Sequence, residues 1–352
     1  MAIVISDADA RRLISMAECI DAMRVAFRDL SDGRAANMPR MRYAVETADA
    51  DRRYLANIQA GAVPSFGMAA VRAGSRFVRF EGEGEARRVL HNPDARNWTV
   101  IILYDLATAE PVAFLHETHI SGIRVGATVG VAVDAAARAD SGVLGLFGTG
   151  RQAGPICEAV CAVRPIRRVQ VYSPTPGHRA AFCERMTRHG VECAPVSDPR
   201  AVVRGADVVC CATSAATPVF DGAWLEPGQT VVTIVNSDVT GRRSEADETT
   251  FRRAADIIIN DWDSVHANRQ VELTEPIDSG AVNRERVHTL GDVLTGRAEV
   301  RRGPDDIVYY KNNTGLGMQF AAAGAVIYRK LVSEGGLRVV PPEWLASEPS
   351  KD

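Results

Sequence analysis

Between residues 15 and 31 apolar side chains recur every three or four places, so that Met16, Ile20, Met23, Phe27 and Leu30 fall on one side of a helix. Ser15 and Glu18 stand as a capping-box pair at its start, and Gly33 follows its end. The pattern then changes to alternation. Residues 38–45, 54–60, 67–72, 98–104 and 112–115 read as strands, with a turn at 105–111. The first 115 residues therefore predict an α+β unit rich in antiparallel strands. From His119 to Ala137 small and apolar residues dominate, and one long, closely packed helix is expected there, crossing between two domains.

Beyond it the pattern becomes a βα rhythm. Apolar runs at 143–147, 168–173, 191–196, 207–213, 230–236 and 256–261 read as strands buried on both faces, with helices such as 156–163 and 177–189 between them. This predicts an α/β fold, a Rossmann-type doubly wound parallel sheet joined to the α+β unit. A strand end and glycine loop at 311–317 then lead into a helix over 319–332, and a polar tail closes the sequence. The expected division is a substrate-binding and dimerisation domain over 1–125, completed by a C-terminal helical segment over 318–352, and a dinucleotide domain over 126–317.

The chemistry is clearest where the rhythm begins. Gly148-Thr149-Gly150-Arg151-Gln152-Ala153 follows an apolar strand and opens a helix, which is the context a G-x-G-x-x-G/A fingerprint requires. Gly148 allows the tight turn and Gly150 lets the backbone approach a pyrophosphate. The small Ala153 lets helix and strand pack closely. The end of the next strand normally carries a carboxylate for the ribose 2′-hydroxyl of NAD. Here stand Ser173, Pro174, Thr175, His178 and Arg179. Hydroxyls and bases suit a 2′-phosphate, so NADP is favoured over NAD. Asn236 and Asp238 follow the fifth strand at the sheet edge where ligands bind; Asp238 reads equally as an active-site carboxylate or as the start of an Asx turn.

Composition changes this picture in one respect. Net charge is only −3 over 352 residues, so no nucleic-acid surface is expected. No apolar run is long enough to span a bilayer, and no signal peptide is evident, which points to a cytoplasmic protein. The seven cysteines include no C-x-x-C, and read as buried reduced thiols with no metal. Lysine, however, occurs only at 311, 330 and 351. A mechanism that draws a lysine from the first 310 residues is excluded. The candidate cations are arginines: Arg40, Arg42 and Arg72 on strands, and Arg124 early in the long helix among apolar neighbours, where a charge needs a partner. Arginine forks match carboxylates but carry protons poorly. Arg76, Arg79 and Arg87 read as solvated, or as a place for a second acidic group.

Taken together these segments resemble the ornithine cyclodeaminase/μ-crystallin family over nearly the whole chain. The residues that carry the likeness are the 148–153 loop in its G-x-G-x-Q-A form, Ile123-Arg124-Val125-Gly126-Ala127, and Ala212-Thr213-Ser214 with Pro218-Val219-Phe220 and Leu225-Glu226-Pro227-Gly228. Asp238 with Arg243-Ser244-Glu245, and Asn313-Thr314-Gly315-Leu316-Gly317, complete it. The resemblance implies a homodimer and an amino or imino acid substrate. Arg124, with Arg40 or Arg42, would bind the substrate carboxylate, and Asp238 would hold its nitrogen. Where the family usually has a lysine, this chain has Arg72, or Ala69 under a shifted alignment. The expected activity is NAD(P)-dependent chemistry at a C–N bond next to a carboxylate, imine reduction or amino acid oxidation. Cyclodeamination and non-catalytic binding of NADPH or a small ligand are the alternatives. Asp238, His116, His119 and water are the candidate proton donors.

Overall fold

The computed structural model describes residues 1–49, 52–82, 88–188, 190–238 and 241–346 apart from 91–96, and gives residues 88–90 and 188 as backbone alone. Its first part runs β1 (Ala2–Ile5), α1 (Asp7–Leu13), α2 (Met16–Ser31), β2 (Ala36–Glu46), β3 (Arg53–Val63), β4 (Met68–Glu81), β5 (Arg88–Leu90), β6 (Trp98–Asp105), β7 (Pro111–His116) and α3 (Thr118–Ala136). The second part runs β8 (Val143–Phe147), α4 (Ala153–Val163), β9 (Arg168–Tyr172), α5 (Pro176–Arg188), β10 (Glu192–Pro195), α6 (Arg200–Val203), β11 (Val208–Cys211) and β12 (Thr230–Thr233). It continues through α7 (Glu248–Arg253), β13 (Asp256–Ile259), α8 (Trp262–Ala267), α9 (Val271–Asp278), β14 (Val287–Thr289), α10 (Leu290–Leu294), β15 (Val308–Lys311), α11 (Gly317–Glu334) and β16 (Val339–Val340).

Two sheets result. The first has the order β16-β1-β7-β6-β4-β3-β2, with β5 paired to β4, and is antiparallel except where β1 meets β7. The second is wholly parallel in the order β10-β9-β8-β11-β12-β15-β13-β14. The order in which strands are added reverses between β8 and β11, so the crevice of this doubly wound sheet opens beyond Phe147 and Cys211. Helix α11 packs on β3, β4 and α2. Its small residues allow this: a side chain at Gly317 would run into the backbone of Ala60.

The expected elements stand, with changes that matter for the site. The capping box at Ser15 and Glu18 forms as anticipated. The strand expected to stop at residue 72 continues to Glu81, so Arg72, Gly74 and Arg76 lie on one alternating face. A bulge between Met38 and Met41 breaks the alternation earlier in β2, yet Arg40 and Arg42 face the same cavity as expected. The sequence did not reveal β1, β16 or α1, which are short. The 311–317 loop is placed centrally, because β15 inserts between β12 and β13. The expected domain boundary at 125/126 falls within α3, a single unbroken helix. Among the described residues no helix is long and apolar enough to cross a membrane. Arg79 is exposed, whereas Arg87, the end of the helix expected over 177–189, and residues 347–352 of the tail lie outside the described residues.

Candidate active site

The β8–α4 turn forms one wall of a groove of about 840 Å³, lined by residues 147–152, by Tyr172, Ser173 and His178 beyond β9, and by residues 212–215 beyond β11. Gly148 has φ of 98°, and a Cβ there would stand 2.9 Å from the carbonyl carbon of Ala212, so only glycine fits. At Gly150 nothing lies within 4 Å of that position, which leaves the approach over the N-terminus of α4 open. The amide groups of that first turn and the helix dipole make the place suited to a phosphate. The residues present therefore fit a dinucleotide.

A second cavity of about 270 Å³ adjoins the groove and shares Arg151, Gln152 and Ile234 with it. Its walls come from both sheets: β2–β4 supply Arg40, Arg42, Arg72 and Arg76, α3 supplies Arg124, and the loop after β15 supplies Asn312, Thr314 and Gly315. Arg124 is buried. Its Nη1 donates to Gln319 Oε1 at 2.8 Å and its guanidinium lies 4.8 Å from the centre of the Phe320 ring. Gln319 in turn donates to Thr128 Oγ1, which itself donates to the Arg124 carbonyl, so the arginine is held from three sides. Arg40 donates to Asp238 Oδ2 at 3.0 Å, and Arg42 pairs with the same oxygen. Arg72 pairs with Glu117 Oε1 at 3.3 Å. Burial pushes Arg40 down to about 9 and Arg124 down to about 10, with neighbouring arginines adding to the effect.

Thirteen buried side-chain polar atoms lack a hydrogen-bond partner among the described residues, and eight belong to residues of this one cavity. They include Nε of Arg40, Arg42, Arg72 and Arg124, Oε1 of Gln152 and Oγ1 of Thr314. Buried polar groups are seldom left unsatisfied in a folded chain. Their concentration here marks a place where a polar ligand completes the bonding.

Beneath both cavities lies a charged network. Glu245 accepts from Thr213 N and Oγ1, each at 2.7 Å, and from Ile234 N and Val235 N at 2.9 Å. Glu272 accepts from the amides of Glu245 and Ala246 and pairs with the fully buried Lys311. Burial first, and then the nearby Glu272, pushes the Glu245 carboxyl up. Asn236 Oδ1 accepts from Thr314 N at 2.7 Å, joining the loops after β12 and β15. Thr314 holds a left-handed φ of 44° at that junction.

Several residues singled out from sequence converge on these two spaces: Gly148 to Gln152, Ser173, Thr213 and Ser214 on the groove, and Arg40, Arg42, Arg72, Arg124 and Asn236 on the cavity. Ala153 begins α4 behind them. Of the two positions open for the lysine substitution, Arg72 lines the cavity and Ala69 does not. Asp238 sits behind Arg40 and Arg42 as their common partner. Thr175 and Arg179 are not on the groove wall. Thr175 accepts from the first amides of α5, and Arg179 donates to the Ser173 carbonyl and lies over the Tyr172 ring. His178 and Arg185 line the groove instead, because α5 turns that side inward. Sequence reasoning missed Glu117, Gln59, Gln319 and the Lys311–Glu272 pair. For Glu117 the signal was present, a carboxylate at the start of an apolar helix; for the others the partner is distant in sequence.

The fold and site have known counterparts. Over 238 residues the chain is 28% identical to the Delta(1)-pyrroline-2-carboxylate reductase of Bacillus cereus, which covers 67% of this chain and 72% of that one. Over 336 residues it is 27% identical to the alanine dehydrogenase of Archaeoglobus fulgidus, 94% of this chain and 96% of the other. The solved structure of Thermococcus litoralis Delta(1)-pyrroline-2-carboxylate reductase in complex with NADH and L-proline superposes with a TM-score of 0.82 at 26% identity, covering 96% of this chain and all of that one. The family model for the ornithine cyclodeaminase/mu-crystallin family matches residues 2–335, and the chain belongs to that family.

Proposed function

We propose that this chain is an NAD(P)-dependent oxidoreductase that reduces the C=N bond of an α-imino acid. The observation that carries the reading is the arginine cavity opening onto the dinucleotide groove at Arg151, Gln152 and Ile234. Residues 148–152 and Ser173 would hold a nicotinamide dinucleotide in the groove, and its reduced form would supply a hydride to the imine carbon. The chain's own residues do the rest. Arg124, clamped by Gln319 and Phe320, presents its remaining donors to the substrate carboxylate, and Arg40 closes on it from β2. Fixing the carboxylate fixes the adjacent imine carbon, which is the positional contribution to the rate. Glu117, buried on the wall beside Arg72, is placed to stabilise the iminium nitrogen, while Asp238 holds Arg40 and Arg42 in register.

Cyclodeamination is the weaker reading, because the cation beside Glu117 is an arginine and Lys311 is held by Glu272. NADPH is preferred over NADH in this reading. Among the described residues the groove at the end of β9 carries Ser173, His178 and Arg185 and no carboxylate. A homodimer is also proposed. Met38, Met41 and Tyr43 on β2, Phe77 on β4 and Trp98 on β6 are large apolar side chains left exposed on the first sheet.

The test is the loss of reduced-nicotinamide absorbance with purified protein and cyclic imino acids, or 2-oxo acids with ammonia. NADPH and NADH are offered separately. Turnover faster with NADPH supports the reading. Binding of NADPH with no imine reduced refutes it and leaves a binding protein. Conversion of a diamino acid to a cyclic one with no net change in cofactor refutes it in favour of cyclodeamination.

A further inference from the structure

The cavity holds more positive charge than one substrate carboxylate can use. Arg40, Arg42, Arg72, Arg76 and Arg124 line it, and the carboxylates they meet are Asp238 and Glu117. Arg151 lies at the groove, where dinucleotide phosphates would meet it. An iminium monocarboxylate is neutral overall and leaves that excess as it was. Burying like charges together without counter-charge is costly, so the arrangement calls for a more anionic ligand.

Arg76 locates the surplus. It stands two steps beyond Gly74 and four beyond Arg72 on the same face of β4, about 13 Å along the strand from Arg72. On its cross-strand neighbour is Leu55, whereas Gly74 faces Asn57 and Arg72 faces Gln59. The cavity floor thus carries an arginine at each end. The inner end belongs to Arg72 and Glu117, and the Arg72 guanidinium leans over Gly74. At the outer end Arg76 is half-buried and has no hydrogen-bonded or ion-paired acceptor among the described residues. Ser75, Asn97 and Thr99 line the same cavity and offer further polar groups. Burial, and then Arg42 beside it, lowers the Arg76 pKa, and an anion there would relieve both.

We propose that the substrate is an imino diacid, whose second carboxylate is bound at the end of its side chain by Arg76 together with Arg42. This rests on the imino acid reductase reading above. The α-carboxylate lies with Arg124 and Arg40, and the side chain extends along the floor formed by β3 and β4 towards Arg76. In the reaction the iminium carbon gains a hydride from the reduced nicotinamide, and the C=N bond becomes a C–N bond. The neutral amine then takes one proton from water, and oxidised nicotinamide is released. The second carboxylate is unchanged and acts only in recognition.

The test uses imines formed in solution from ammonia and 2-oxo acids matched in chain length: oxaloacetate against 2-oxobutyrate, and 2-oxoglutarate against 2-oxopentanoate. With saturating NADPH, kcat/KM is expected to favour one diacid over its matched monoacid by at least about 100-fold, the scale of a desolvated charge-assisted contact. In Arg76→Gln that ratio falls at least tenfold, mainly through KM, and Arg76→Lys restores part of it. NADPH fluorescence titration confirms that each variant is folded and binds cofactor. Monoacids turned over as well as diacids, or a ratio untouched by Arg76→Gln, overturns the diacid assignment and leaves the reductase standing. No NADPH oxidation with any of these imines, nor with cyclic imino acids, overturns the reductase reading and this inference with it.

Discussion

Gly315 is the most informative single position to change. An added Cβ would stand 2.5 Å from Arg124 Nη2 and 2.7 Å from its Cζ, with Nη1 nearer still. The clash is with the tip of a side chain and not with backbone. Gly315 is also absent from the positive-φ glycines, so alanine is conformationally allowed. Gly315→Ala is therefore expected to fold, with the lower entropy of its unfolded chain offsetting a local shift by about 0.4–1 kcal/mol. Arg124, however, cannot stay where Gln319 and Phe320 hold it. If the displaced guanidinium loses two charge-assisted bonds to the substrate carboxylate, at about 1.5 kcal/mol each, the loss is about 3 kcal/mol. That is about a 100-fold fall in kcat/KM for the imino acid. NADPH affinity should be unchanged within about twofold, because Arg124 does not line the groove. Steady-state kinetics, fluorescence titration and a thermal melt give the three readings. A kcat/KM within about threefold of the native value would refute this displacement of Arg124. Additive losses in Gly315→Ala and Arg124→Met would refute it equally, since both changes are held to remove one interaction.

Other predictions address the groove, the buried network, the cofactor and pH. Gly148→Ala puts a Cβ against the Ala212 carbonyl at a φ of 98°, and should abolish NADPH binding in a fluorescence titration. Lys311→Met leaves Glu272 buried without its cation and should cost about 3–5 kcal/mol, seen as a lower Tm that Glu272→Gln partly restores. Ser173→Asp puts a carboxylate at the end of β9, and should weaken NADPH relative to NADH by about tenfold or more, read as the ratio of kcat/KM values. For pH, cyclopentanecarboxylate serves as a competitive inhibitor with no titrating nitrogen. Anion binding needs Arg40 and Arg124 protonated, and burial lowers their pKa values, to about 9 for Arg40 and about 10 for Arg124. The inhibition constant should therefore be flat from about pH 6 to 8 and weaken as pH rises through about 9; a break near pH 6.5 would implicate a histidine instead.

How far the sequence alone could go depended on the range of each interaction. The Gly148 turn was legible because its requirements are local: a strand, a tight turn, an open backbone and a helix within a dozen residues. Arg124 was legible because a charge in an apolar helix demands a partner, although the partner, Gln319, lies 195 residues away and had no local mark. The place of Arg76 on the cavity wall was left open because the alternating pattern of β4 weakens after Arg72, while the strand itself continues through pairing with β3. Lys311 read only as part of a strand end. It is fully buried because β15 inserts between β12 and β13, a crossover that no local pattern announces. Beyond β9, Ser173 and His178 line the groove as the turn suggested, whereas Thr175 and Arg179 do not. Helix phase decides between Arg179 and Arg185, and α5 sets that phase by packing against β9 and β10.

The exchange of lysine for arginine at the cavity wall then bears on chemistry as well as recognition. Arg72 is buried and paired with Glu117, and while burial lowers its pKa, the facing carboxylate opposes that fall. A guanidinium so held remains a fixed cation and does not shuttle a proton at neutral pH. Glu117 faces that guanidinium at 3.3 Å, in a site whose other walls carry arginines. In the proposed reading, an iminium ion entering that space would meet Glu117 on the Arg72 side and the arginine forks on the Arg124 side. These two contacts would orient the C=N bond. Hydride addition needs only that orientation, since the amine it forms can take its proton from water. Cyclodeamination needs several proton transfers at the same nitrogen. The fixed charges of this cavity therefore suit reduction, and an Arg72→Lys variant that gained cyclodeaminase activity would show that the difference resides in that one side chain.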